Sequence, residues 1–128
     1  MISFQENISL VPHTTFGLDA KAKFFVEIER LEDIISLQND PRWQQLPHLF
    51  LGTGANILFT QDYEGIVVKV NILGKEIISP ENSSPIIRAG AGENWNDFVL
   101  WSIAQGYGGL ENLAGIPSSV GAAAYGNI

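Results

Sequence analysis

The chain has 128 residues, seven Lys or Arg against fourteen Asp or Glu, a net charge of −7 and no cysteine. This balance disfavours nucleic acid as the main partner, because phosphate backbones select for cations. The missing thiols exclude a disulfide framework and a cysteine metal site and are compatible with the cytosol. Hydrophobic content of 45% with 16% charged residues fits a folded domain rather than a disordered one. No stretch approaches the ~20 apolar residues of a membrane helix, and the start lacks a basic signal region, so no membrane association is expected.

In chain order, Ala22-Lys23-Phe24-Phe25-Val26-Glu27-Ile28 predicts a strand. Leu31, Ile34, Ile35 and Gln38 fall at helical spacing and predict a helix that Asp40-Pro41 ends, with a weak cap signal at Glu29 and Arg30. His48-Leu49-Phe50-Leu51 is a wholly apolar run, as in a strand covered on both faces. Gly65 to Val70 predicts another strand, after a loop in which Asp62-Tyr63-Glu64 is placed. The sum is a parallel three-strand unit with a crossover helix. Beyond Leu73-Gly74 the pattern changes. Lys75 to Ser79 and Ile86 to Ala91 predict an antiparallel pair joined by the turn-rich segment 80–85. A helix is expected over 94–104, buried through Trp95, Phe98, Val99 and Ile103, with Gln105-Gly106 as its stop. The fold class is therefore α+β, in two small subdomains over 1–73 and 74–128.

Three glycine-rich joints carry the functional reading. Gly52-Thr53-Gly54-Ala55-Asn56 leaves a buried strand, where successive amides aimed into one concavity bind pyrophosphate; isolated Gly-x-Gly loops are common, and on the pattern alone a plain tight turn between two strands is the simpler reading. No third glycine opens a helix, so it is not the doubly wound dinucleotide fingerprint. Gly90-Ala91-Gly92-Glu93-Asn94-Trp95 joins a strand to a helix; its glycines either face a ligand or let the helix approach the sheet, and Glu93 reads as a carboxylate favoured by the helix dipole. Gly115-Ile116-Pro117-Ser118-Ser119-Val120-Gly121-Ala122 either supports an anion or planar ring through its backbone or is a small-residue helix start in a core. No basic residue follows Arg88, so a phosphorylated ligand held by the glycine-rich half must be held by N–H groups and helix dipoles. Glu29, Glu32 and Asp33 are expected on a solvated face, and Trp43, Trp95 and Trp101 in the core. His13 and His48 have no matching set for a metal. The apolar, uncharged stretch up to Ile128 is unlike a natural terminus, and the chain is expected to be a piece of something longer, with exposed apolar surface that allows self-association.

In combination these sites resemble the N-terminal part of the UDP-N-acetylenolpyruvoylglucosamine reductases (MurB), in their longer, type I form. The resemblance rests on Thr15-Phe16-Gly17-Leu18-Asp19-Ala20-Lys21-Ala22, Leu51-Gly52-Thr53-Gly54-Ala55-Asn56-Ile57-Leu58-Phe59, Ala89-Gly90-Ala91-Gly92-Glu93-Asn94-Trp95, Gly109-Leu110-Glu111-Asn112-Leu113-Ala114-Gly115-Ile116-Pro117 and Val120-Gly121-Ala122-Ala123 with Asn127-Ile128. It implies an FAD-binding fold of the vanillyl-alcohol-oxidase (PCMH) type in a cytoplasmic enzyme of peptidoglycan synthesis. NADPH would reduce the flavin, which would in turn reduce UDP-GlcNAc-enolpyruvate to UDP-N-acetylmuramate. By position, Gly52, Thr53, Gly54, Ala55, Asn56, Ile57 and Leu58 would hold the FAD pyrophosphate. Gly115, Ile116, Pro117, Ser118, Ser119, Gly121 and Ala122 would line the flavin and inner phosphates, and Gly90 and Gly92 would lie near the cofactor. The family's catalytic serine, arginine and glutamate fall beyond the matched segment, so no catalytic residue is assigned and the segment alone is expected to be inactive. Ala55 stands where the family usually has Ser or Thr, and Ser118 where it usually has Gly. A non-catalytic flavin-binding module and another oxidoreductase of the same fold remain as alternatives.

Overall fold

A computed structural model describes residues 2–79 and 85–128. The chain divides into two compact units, Met1–Asn71 and Ile72–Ile128.

The earlier unit is built on β1 (Gln5–Ser9), β2 (Lys21–Ile28), α1 (Leu31–Gln38), α2 (Pro41–Gln45), β3 (His48–Leu51) and β4 (Tyr63–Val70), with a 3-10 turn at Val11–His13. The sheet order is β1-β2-β4-β3. Strands β2, β4 and β3 run parallel, as the crossover pattern predicted, and β1 adds antiparallel to β2. Because β4 is central, Ile66, Val67 and Val68 are all fully buried, the continuous apolar run of a strand covered on both sides. Alternation sends Phe25 and Val67 to one face, where they cluster with Leu10, Ala22 and Leu51 under Ile8, Ile57, Phe59 and Tyr63. Lys69, two residues on, shares the face of Val67, and its Cα is paired with that of Leu51.

Several expectations are corrected here. Strand β3 is not covered on both faces; it forms a sheet edge, and Phe50 is 53% exposed. Tyr63 and Glu64 belong to β4 rather than a loop, and Asp62 Oδ1 accepts from the Lys21 amide at 2.9 Å. Helix α1 forms where expected but buries Asp33 and Leu37, while Leu31 and Ile35 face outward, 68% and 61% exposed. Asp33 is thus no part of a solvated acidic face. Its carboxylate accepts the amides of Glu29 and Arg30 at 3.0 and 3.1 Å, supplying from inside the first turn the cap that Glu29 and Arg30 cannot. Those amides, above all that of Glu29, hold the Asp33 carboxyl below its ordinary range. Pro41 starts a second helix, capped by Asp40 Oδ1 on the Arg42 amide at 2.9 Å. Trp43 is half-buried and stacks on His48 at 3.7 Å between ring centroids.

The later unit contains β5 (Lys75–Ser79), β6 (Ile86–Ala89), α3 (Trp95–Ala104) and α4 (Val120–Ala123), with a 3-10 turn at Glu111–Leu113. Strands β5 and β6 pair antiparallel, and β6 ends at Ala89, short of the expected Ala91. Of the expected turn 80–85, residues 80–84 lie outside the described residues. Asn94 caps α3, its Oδ1 accepting from the Asp97 amide at 3.1 Å. Trp95, Phe98, Val99 and Ala123 form the core, and the indole of Trp95 donates to Leu113 O at 2.9 Å. The third expected turn of the stripe is corrected: Ser102 is buried, with its hydroxyl donating to Tyr107 O at 3.3 Å, while Ile103 is exposed. Trp101 is half-buried against Phe98.

Glu93 is buried one residue before the helix cap and is more than a dipole-favoured carboxylate. It accepts the Gly74 amide at 2.7 Å and the Lys75 ammonium, tying the start of β5 to the start of α3. The Lys75 bond and then the Gly74 bond lower its pKa. A depressed carboxylate stabilises the fold fully above its unfolded pKa of about 4.3, and this stabilisation is lost as pH falls through the lower folded value. Glu93→Ala is therefore expected to cost about 2 kcal/mol at pH 7, with the deficit shrinking below about pH 4 as the native protein loses the same bond. Urea unfolding at pH 7 and pH 3.5 checks this; a deficit of equal size at both would contradict the ionic role.

Candidate functional site

The 52–58 loop leaves β3 and is held from inside by its carbonyls. The Lys69 ammonium donates to Gly52 O, and the Thr15 amide donates to Gly54 O at 3.1 Å. Gly54 is buried at φ +71°, and a Cβ there would lie 2.9 Å from Thr14 Cα and closer still to His13 O. Glycine is required at this position both for the left-handed angle and for the backbone packed against it. The amides of residues 53–58 donate to no protein acceptor among the described residues. Two of the loop's carbonyls are thus taken up within the protein, while the amides that follow remain as donors. Thr53, Asn56 and Leu58 are exposed, while Ile57 packs on the core beneath.

Lys69 was missed by sequence reasoning, although a single lysine inside Val67-Val68-Lys69-Val70 was the available signal. It is half-buried, and desolvation lowers its pKa, partly offset by Glu27. His13 lies over Phe25 at 4.4 Å between centroids, and burial, then Lys69, lower its pKa and favour the neutral ring.

The other two joints are placed differently. Gly90 and Gly92 spend their amides on Gly74 O and Ile72 O, at 2.8 and 2.9 Å. A Cβ on Gly90 would meet Leu73 C at 2.7 Å, so local chain packing accounts for that glycine. In 115–122 the Gly115 amide donates to Asn96 Oδ1 at 2.7 Å, Val120 to Glu93 O, Gly121 to Ala91 O and Ala122 to Ser119 O. The amides of Ile116, Ser118 and Ser119 donate to no acceptor among the described residues. Ser118 is buried and its hydroxyl donates to Ser119 O at 3.1 Å, so the side chain that stands in place of the family's glycine is housed within the protein. A Cβ on Gly121 would meet the Ala91 Cβ at 2.7 Å. The segment is thus a small-residue helix start packed in a core, with three amides that have no acceptor among the described residues. Among the described residues there is no helix long and apolar enough to cross a membrane and no cluster of His, Asp or Glu suited to a metal.

Residues 22–128 match the model of a family described as the FAD binding domain. The chain belongs to this FAD-binding family. UDP-N-acetylenolpyruvoylglucosamine reductase of Burkholderia orbicola is 44% identical over 119 residues, covering 93% of this chain and 34% of the relative. The enzyme of the same name from Chromobacterium violaceum is 41% identical over 127 residues, 99% of this chain and 37% of the relative. The chain thus spans about a third of the length of the curated relatives it matches. The crystal structure of MurB from Thermus caldophilus superposes with a TM-score of 0.68 at 22% identity, covering 96% of this chain and 41% of that one. The resemblance read from the motifs therefore holds, as does the mixed α/β FAD-binding fold it implied.

In this FAD-binding domain the glycines of the joints are not equivalent. Gly54→Ala is expected to cost about 2–3 kcal/mol, since it combines a disfavoured angle with a clash against backbone. Gly115 has φ +80°, but a Cβ there would meet nothing within 4 Å, so Gly115→Ala is expected to cost only about 1 kcal/mol. Thermal unfolding of the two variants checks the order.

Proposed function

We propose that this chain is the FAD-binding portion of a UDP-N-acetylenolpyruvoylglucosamine reductase, an NADPH-dependent flavoenzyme acting on UDP-GlcNAc-enolpyruvate in cytoplasmic peptidoglycan synthesis. The names of its relatives support the activity, and the observation that carries the binding role is the 52–58 loop. Two of its carbonyls are bonded inward and the amides of residues 53–58 are unspent. A pyrophosphate carries two negative charges, and neutral backbone donors accept such charge without the cations that an acidic chain lacks.

On this reading Gly52, Thr53, Gly54, Ala55, Asn56, Ile57 and Leu58 grip the diphosphate of FAD. Gly115 to Pro117 and Ser118, Ser119, Gly121 and Ala122 back the flavin and inner phosphates, with the amides of Ile116, Ser118 and Ser119 as their donors. Gly90 and Gly92 act by shaping the joint between β6 and α3, since their own amides are committed. When bound, the flavin would supply the hydride-transfer chemistry between NADPH and the enolpyruvyl group. This chain's own share is to hold and orient that cofactor. Residues 1–73 and 74–128 are its two binding subdomains.

Titration of the purified chain with FAD, followed by quenching of flavin fluorescence, is expected to saturate. The same protein given NADPH and UDP-GlcNAc-enolpyruvate is expected to show no turnover, because the residues that protonate and stabilise the reacting substrate lie outside the matched segment. Absence of FAD binding would overturn the binding role, and turnover at a rate typical of enzymes would overturn the division of labour.

A further inference from the structure

Five of the seven basic side chains are paired with a carboxylate: Lys23 with Glu64, Arg30 with Asp33, Arg42 with Asp40, Lys75 with Glu93 and Arg88 with Glu76. Lys21 is exposed. Lys69 is the half-buried cation without a carboxylate partner among the described residues. An ammonium withdrawn from water without an ionic partner is costly unless something else compensates it. Here the bonded compensation is one carbonyl, Gly52 O, at the root of the loop whose amides are unspent, with the carboxylate of Glu27, opposite on β2, acting on the ammonium without an ion-pair contact. Alternation along β4 places Lys69 on the face of Phe25, Val67 and Leu51, beneath that loop, and its depressed pKa reflects the desolvation of that position.

We propose that Lys69 is a positioning residue for diphosphate binding: it fixes Gly52 O inward, which leaves the following amides to the ligand, and its charge offsets the diphosphate from below the loop. This rests on the FAD-binding reading above and adds to it a cation drawn from the strand next to the loop's own. The two roles act in the same direction. Fixing the carbonyl removes the competing orientation of the peptide unit, and the positive charge in a partly desolvated place favours a dianion above it.

The test uses the full 128-residue chain with FAD as the probe. Loss of a charged hydrogen bond corresponds to a weakening of about tenfold or more, so Lys69→Met is expected to raise the Kd for FAD by at least about that factor, with cooperative melting and the far-UV circular dichroism spectrum retained. Lys69→Arg keeps the donor and the charge and is expected to stay within about threefold of the native Kd. In the native protein, the Lys69 side-chain ammonium signal and the Gly52 carbonyl signal in NMR are both expected to move when FAD is added, a readout that needs no variant to fold. If the native chain binds FAD and Lys69→Met binds it equally well, the inference is overturned and the FAD reading stands. If both variants weaken binding equally and the two NMR signals stay put, Lys69 acts by packing alone and the inference is overturned. If the native chain does not bind FAD, the reading itself fails and takes the inference with it.

Discussion

Two hydrogen bonds decide how the 52–58 loop spends its polar groups. A peptide unit offers a donor on one side and an acceptor on the other, and a buried joint must satisfy both. In this protein the acceptors of Gly52 and Gly54 are satisfied from within, by Lys69 and by the Thr15 amide. The donors that follow are left without protein partners among the described residues. The rest of the earlier unit can be understood as what brings Lys69 and Thr15 to that place. Strand β4 presents Lys69 opposite Leu51, the last residue of β3, because the parallel register sets them side by side. The segment after β1 brings His13 and Thr14 so close to Gly54 that no side chain fits between. The loop is thus a product of sheet register and backbone packing, with glycine as the consequence.

The later unit reaches a similar end with a different economy. Its joints are fixed by spending amides internally. Gly90, Gly92, Val120 and Gly121 all donate to nearby carbonyls, and Glu93 draws in the Gly74 amide and the Lys75 ammonium. The bridge between Asn94 and Ser119 sets the segment around Ser118 beside the start of α3. What remains free is a short set of donors on Ile116, Ser118 and Ser119. A flat, largely apolar ring needs few directed donors and much close backbone, whereas a diphosphate needs many donors.

The periodic signals in the sequence are legible where burial on one face dominates. The strands β2, β3 and β4, the helices α1 and α3 and the pair β5–β6 all follow from apolar spacing and turn residues. Strand β1 is not legible, because Gln5-Glu6-Asn7-Ile8-Ser9 has no apolar alternation and a single β-branched residue, Ile8, and pairing with β2 alone makes it a strand. The face of α1 is misleading because Leu31 and Ile35 look like core, yet the helix turns Asp33 inward to cap itself and carries Leu37 with it. An acidic residue that serves its own helix start is indistinguishable in sequence from one on a solvated face. The glycine motifs mark the three joints, but their pattern does not say which amides are committed. That depends on partners as far away in sequence as Gly74 and Ile72, or Asn96 and Ala91. Lys69 is hidden for the same reason, since its meaning comes from the register between β3 and β4 and not from its neighbours in the chain.

An excess of seven negative charges is, at first sight, a poor background for a dianion. Five cations are matched to carboxylates, which leaves nine carboxylates against Lys21 and Lys69, so the excess itself is undiminished. Salt screens exposed charges beyond about 10 Å, so distant carboxylates act only weakly on any one loop. At the root of the 52–58 loop, with Glu27 opposite Lys69 on β2, lies the ammonium bonded to Gly52 O. Desolvation makes that single charge count for more than an exposed one would. Burial lowers the pKa of Lys69, and Glu27 offsets part of that shift. Net charge, read as a bulk property, therefore says little about this loop. The relevant quantity is local, set by one lysine on the central strand and by amides whose carbonyls have been taken up elsewhere.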